Sequence, residues 1–235
     1  MSELKRLAQI SSPRKLEWLA ARLAAKYLFL SQFEMGQPAL SREDHIVKLT
    51  GERLRRHSAW MYRNVEVRQP EEGRDQKPVL TWCGVRRNEN ISLSHVAGIS
   101  CASMAAVPTA IDIEVATPRV TAFYRKTFTA AERNWVNVRA RDDQFKARWF
   151  FTLLWTMKES ALKLKLLTSA TLWQLPRLEI KELPDLRFDD TSTLDHLVSF
   201  PVRIKEPQGE LPVQVAVAGT HEWVLTVMNS RLGVV

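Results

Sequence analysis

The order in which helical and strand-like patterns follow one another is what most limits the fold of this chain. Residues 145–167 hold the longest helical pattern, rich in Phe, Leu and Trp, and helical periodicity also marks residues 14–31 and 129–136. Strand-like runs are grouped elsewhere. "VLTW", "ISLSH", "ISCASMAA" and "TAIDIEVA" fall between residues 79 and 116. "HLVSFPVRIK", "LPVQVAVAG" and "EWVLTVMNS" follow between 196 and 230, around the turn-forming "EPQGE" and "GTH". A parallel sheet needs a crossover between strands and hence regular βαβ alternation. Grouped helices and antiparallel strands instead predict an α+β fold. The 235 residues suit one large domain or two of about 100–120 residues.

Hydrophobic residues make up 45% of the chain and charged residues 26%, enough apolar surface to bury a core. The formal net charge of +8 favours acidic partners, which leaves nucleic acid, an anionic membrane, a phosphorylated small molecule or an acidic protein. The only cysteines, Cys83 and Cys101, have no metal-type spacing and suit a reducing compartment. The N-terminus lacks an apolar h-region. The least charged segment, Val96 to Ile111, is too short and too polar to span a bilayer. These features predict a soluble, cytoplasmic protein without a membrane partner.

Local signals refine the pattern. Leu16, Leu19, Leu23 and Tyr27 recur at helical spacing after Ser12-Pro13, a capping pair, while Arg22 and Lys26 share a face that reads alone as solvated. Thr129 and Glu132 have the spacing of a capping box. Residues 69–78 and 183–195 read as polar connections, and Trp18, Trp149, Trp155 and Trp173 fall among apolar neighbours and are expected in the core.

The chemistry-bearing residues lie in three places. In "AIDIE", residues 110–114, Asp112 and Glu114 alternate with Ile111 and Ile113, so a strand points both carboxylates to one side. Taken alone this reads as a solvated acidic face, although the flanking residues supply no cation to offset the repulsion. In "WTMKESALKLK", residues 155–165, Trp155, Glu159 and Lys163 follow at intervals of four along one helix face. If that helix packs across the strand, three carboxylates surround one point, the hard oxygen environment that Mg²⁺ selects, with Lys163 in reach of a phosphate. Ser94 and His95 end the strand "SLSH", where a turn is the simpler reading. No G-x-S-x-G elbow is present, which disfavours a serine hydrolase.

Taken together, "AIDIE", "FTAAE" and "WTMKESALKLK" resemble, in that order, the phosphopantetheinyl transferases of the surfactin-synthetase-activating type. Upstream, "SLSH" is similar to the S-x-S-H motif of that family, "QKP" to its G-K-P, and "RKLEWLAARLAAKYL" to its N-terminal basic helix. The resemblance runs from about residue 14 to 165. It implies two similar α+β halves, 1–107 and 108–235, each a helix on a small antiparallel sheet, related by a pseudo-two-fold axis with the active site between them. It implies Asp112, Glu114 and Glu159 as Mg²⁺ ligands, Glu159 also as base, and Lys163 as the catalytic cation on the coenzyme A pyrophosphate. Arg22, Lys26, Lys77, Ser94 and His95 would hold the nucleotide phosphates, and Glu132 would be structural. The implied partners are coenzyme A and acidic apo carrier proteins, for which a monomer suffices. Two positions depart from the pattern: Ala110 and Gln76 stand where the family has glycine.

Two rival readings meet the same residues. A Mg²⁺-dependent nuclease usually sets its second acid and its lysine two apart on a strand, whereas Glu159 and Lys163 lie four apart in a helical segment. A nucleic-acid-binding module predicts a clustered basic patch, whereas the cations here are interspersed with acids.

Overall fold

The computed structural model describes residues 12–35, 51–68, 77–119, 121–164, 178–181, 183, 186, 198–206 and 209–230. The chain forms two compact units, Met1–Ile111 and Asp112–Val235. Helices accompany antiparallel sheets in both, as the α+β expectation requires.

The first unit is built on α1 (Ser12–Met35), which packs on the hairpin of β4 (Asn90–Val96) and β5 (Ile99–Ala105). Ala21, Ala25 and Phe29, spaced by four, form its buried stripe together with Leu30. Leu16 is 76% exposed and Leu19 42%, so the leucines of the first turns do not mark the core face. Both sets recur with helical period, and periodicity does not say which of two stripes is covered. Small alanines on the inner side let the helix lie close to the hairpin. The core of this unit joins Ala25, Phe29 and Leu30 to Val65, Val67, Leu80, Ile91 and Met104. Val65 and Val67 belong to β1 (Val65–Arg68), a strand absent from the sequence expectations, which pairs antiparallel with β2 (Val79–Trp82) and through it with β3 (Val85–Arg86). Two short helices, α2 (Gly51–Leu54) and α3 (Ala59–Asn64), precede β1. The β4–β5 turn runs through Ala97 (φ 46°) and Gly98 (φ 83°), the two left-handed residues that a tight hairpin turn demands.

Strand β6 (Thr109–Val115) leads into the second unit and joins its five-stranded sheet. Ala110 is buried and has negative φ, so alanine in place of glycine carries no backbone strain. After β6 come α4 (Thr121–Thr127), α5 (Ala130–Ala140) and α6 (Gln144–Lys163). Asp143 caps α6 by accepting from the N–H groups of Phe145 and Lys146, and Arg141 in the left-handed region closes α5. The sheet is completed by β7 (Glu179–Lys181), β8 (Val198–Glu206), β9 (Gly209–Gly219) and β10 (Trp223–Ser230), in the order β6-β10-β9-β8-β7. The β7–β8, β8–β9 and β9–β10 pairs are antiparallel.

Helix α6 lies on β10. Leu153, Leu154 and Met157 are fully buried, the Thr156 hydroxyl meets that of Thr226 at 2.7 Å, and the Trp149 indole donates to the Thr220 carbonyl at 2.9 Å. A Cβ on Gly219 would come within 2.7 Å of the Trp223 carbonyl oxygen and 3.2 Å of the Trp149 ring, so this turn admits no side chain. Trp149 is buried as expected, Trp18 and Trp155 are only partly so, and Trp173 lies outside the described residues. So do Gln76, the Ser12 and Pro13 side chains, and most of the 69–78 and 183–195 connections. Among the described residues no helix is long and apolar enough to cross a membrane.

Candidate functional site

The second unit gathers Asp112, Glu114, Glu159 and Lys163. Strand β6 buries Ile111 and Ile113, and α6 brings Glu159 and Lys163, one turn apart, beside it. Lys163 Nζ lies 2.8 Å from Asp112 Oδ1. Asp112 is only 5% exposed, so the reading of a solvated acidic face fails. The immediate flanks supply no cation, but Arg119, five residues beyond Glu114, sets Nη2 at 3.5 Å from its Oε2. The Arg119 guanidinium also lies over the rings of Phe123 and Trp155, at 4.9 and 5.4 Å from their centroids.

The three acids sense one another. Burial, and then the Asp112 carboxylate, pushes the Glu159 carboxyl up to about 7, with Lys163 opposing. Burial and Asp112 likewise raise Glu114, against the pull of Arg119. An anionic cluster left short of positive charge, with oxygen donors throughout, has the donor chemistry of a hard divalent cation. Among the described residues, however, no three acids, histidines or cysteines are drawn together closely enough to hold a metal ion. Lys163 sets its ammonium against Asp112.

Lys158 and Glu159 are neighbours with opposite destinations. Lys158 is fully buried and lies 2.8 Å from Glu132 Oε2, and it also donates to the Thr127 carbonyl at 2.9 Å. Glu132, 1% exposed, closes the capping box with the Thr129 N–H and accepts the Ile180 N–H at 3.0 Å through its other oxygen. The structural reading of Glu132 therefore holds, and the pair ties α5, α6 and β7 together. Burial lowers the Lys158 pKa, against the attraction of Glu132.

The expected nucleotide-binding residues lie in the first unit. Arg22 is buried, with its guanidinium 3.4 Å above the Trp18 ring, and Lys26 donates to the Tyr62 carbonyl at 3.3 Å, so neither lies on a freely solvated face. Lys77 is half-buried just before β2. Ser94 and His95 are adjacent on β4 and so face opposite sides: Ser94 is 8% exposed, whereas His95 is open to solvent. Their side chains are not brought together. Ser92, on the Ser94 side, accepts the Ile111 N–H at 3.1 Å.

Three residues with a part in these sites are missing from the sequence expectations. Glu17 on α1 holds His95, Arg119 holds Glu114, and Lys158 holds Glu132. Arg119 follows Pro118 in the connection after β6, and Lys158 sits inside the "MKES" run, but no sequence pattern says which acid each one meets.

Residues 108–216 match the model of the 4'-phosphopantetheinyl transferase superfamily. The match covers a little under half of the chain and takes in β6 and α4 to α6, with every carboxylate of the cluster. No curated protein matches the chain.

Proposed function

We propose that this protein transfers the 4'-phosphopantetheine group of coenzyme A to a serine of an acidic apo carrier protein, with dependence on Mg²⁺. The observation that carries this reading is that Asp112, 2.8 Å from Lys163, and the two glutamates whose pKa it raises, Glu114 and Glu159, all lie inside the segment that matches the phosphopantetheinyl transferase superfamily. The helical placement of Glu159 and Lys163 supports it over the nuclease plan. The proposal extends to the surfactin-synthetase-activating type, to two halves of pseudo-two-fold kinship, and to a cytoplasmic monomer.

The family resemblance, rather than a preformed metal cage, assigns Mg²⁺ to Asp112, Glu114 and Glu159, where it would neutralise the pyrophosphate and polarise it toward attack. Glu159 would also be the candidate base, taking the proton of the serine hydroxyl at its Oε atoms. The serine oxygen forms a bond to the β-phosphorus, and the bond from that phosphorus to the bridging oxygen breaks. The released group is 3'-phosphoadenosine 5'-phosphate. Lys163 offers its ammonium to the pyrophosphate oxygens, where it opposes the charge that gathers on the leaving group. In the first unit Arg22, Lys26, Lys77, Ser94 and His95 would contact the nucleotide phosphates, in keeping with a net charge of +8 that also attracts acidic carriers.

The test is the intact mass of an apo carrier protein after incubation with this protein and coenzyme A, with Mg²⁺ or with chelator. A gain of one phosphopantetheine that requires the metal is expected. No gain with several carriers, together with no binding of coenzyme A, would overturn the reading.

A further inference from the structure

Glu17 makes three contacts with the β4–β5 hairpin, and all three lie at its tip. Its Oε2 is 3.1 Å from His95 Nδ1, its Oε1 accepts the Gly98 N–H at 2.7 Å, and its main-chain carbonyl accepts the Ser100 hydroxyl at 2.9 Å. His95 and Ser100 are cross-strand partners, and Gly98 is the second left-handed residue of the turn. One carboxylate therefore fixes both the turn and the ring beside it. The side chain of Glu17 is 20% exposed and that of His95 35%, so the carboxylate is partly covered while the ring keeps an outward edge.

An ionised carboxylate only accepts hydrogen bonds, so His95 Nδ1 carries the proton and Nε2 is the nitrogen left for a ligand. A ring held in this way donates from Nε2 only when it is charged, which suits an anionic oxygen. We propose that Glu17 is a positioning residue for coenzyme A, orienting His95 so that Nε2 meets one of its phosphates. The inference rests on the function proposed above. It adds a residue to the substrate site that acts through another side chain, as carboxylates behind ligating histidines do in metal sites.

A purely structural Glu17 would tie α1 to the hairpin and nothing more. The two roles separate in a double-mutant cycle on the transfer reaction, in which KM for coenzyme A is measured for wild type, Glu17→Gln, His95→Ala and the double variant. Glutamine keeps an acceptor for the Gly98 N–H but not the charge against the ring. Glu17→Gln is expected to raise KM for coenzyme A about tenfold, equivalent to about 1.4 kcal/mol, with little change in kcat. In the His95→Ala background it adds no further rise. KM is independent of the active fraction, so partial unfolding of a variant does not imitate this result.

An unchanged KM in Glu17→Gln, or an equal rise in both backgrounds, overturns the positioning role while the wild-type reaction stands. A wild-type chain that neither transfers phosphopantetheine nor binds coenzyme A overturns the function and this inference together.

Discussion

Replacing Glu159 with glutamine should make the protein more stable while abolishing its proposed activity. Burial and Asp112 hold the Glu159 carboxyl at about 7, against 4.5 in the unfolded chain. Between these values the folded state binds the proton and the unfolded state does not, so stability falls as pH rises through this window. The stabilising contribution is complete below pH 4.5 and is lost as pH passes about 7. At 1.36 kcal/mol per pH unit, the charged side chain costs the metal-free fold up to about 3 kcal/mol at pH 8. Glutamine removes that cost but needs a partner for its amide, which leaves a net gain of about 1–3 kcal/mol. Urea unfolding of wild type and Glu159→Gln, in chelator and across pH 4 to 8, measures it. The difference between the two cancels other titrating groups unless they couple to this site. The variant should match wild type at the acid end and exceed it progressively above pH 5. Replacing chelator with millimolar Mg²⁺ should then raise wild-type stability and narrow the gap. A variant less stable than wild type at pH 8, or a difference that does not vary with pH, would refute the account of a strained carboxylate cluster.

Other outcomes follow from the same contacts. Asp112→Ala should abolish phosphopantetheine transfer with the fold intact by circular dichroism, because it removes a proposed ligand and relieves repulsion on Glu114 and Glu159; full activity would sink the metal-site assignment. Glu132→Ala strands the fully buried Lys158 and should cost about 3–5 kcal/mol in urea unfolding. Gly219→Ala should cost about 1–3 kcal/mol, because the Trp223 carbonyl and the Trp149 ring leave no room for a methyl group; a neutral result would mean that the turn opens freely.

The carboxylate–lysine set was legible because strand and helix geometry alone fix which side chains share a face. Asp112 and Glu114 are two apart on a strand, Glu159 and Lys163 four apart on a helix, and no knowledge of the partner element is needed to align each pair. The capping box was legible for the same reason, since its two residues complete each other locally. What stayed hidden depends on contacts distant in sequence. Glu17 lies 78 residues before His95, and α1 carries two apolar rows of equal period, so the covered row was not decidable before the hairpin was in place. Lys158 and Glu159 are adjacent charges on one helix, and contacts from outside it, Glu132 on α5 and the Thr127 carbonyl, decide that the first turns inward. β1 is four residues long with a polar alternate side, too short a run to declare itself.

The buried Lys158–Glu132 pair acts on α6 as a key acts on a shaft. Successive residues on a helix differ by about 100° in direction, so anchoring Lys158 against α5 sets the azimuth of every side chain that follows. Glu159 and Lys163 acquire their aim toward β6 from a contact that neither of them makes. A mutational survey scored by activity alone would therefore count Glu132 and Lys158 among the reacting groups. Turnover per folded molecule, measured for a conservative substitution at either position, would show them instead as the alignment of the helix that carries the chemistry.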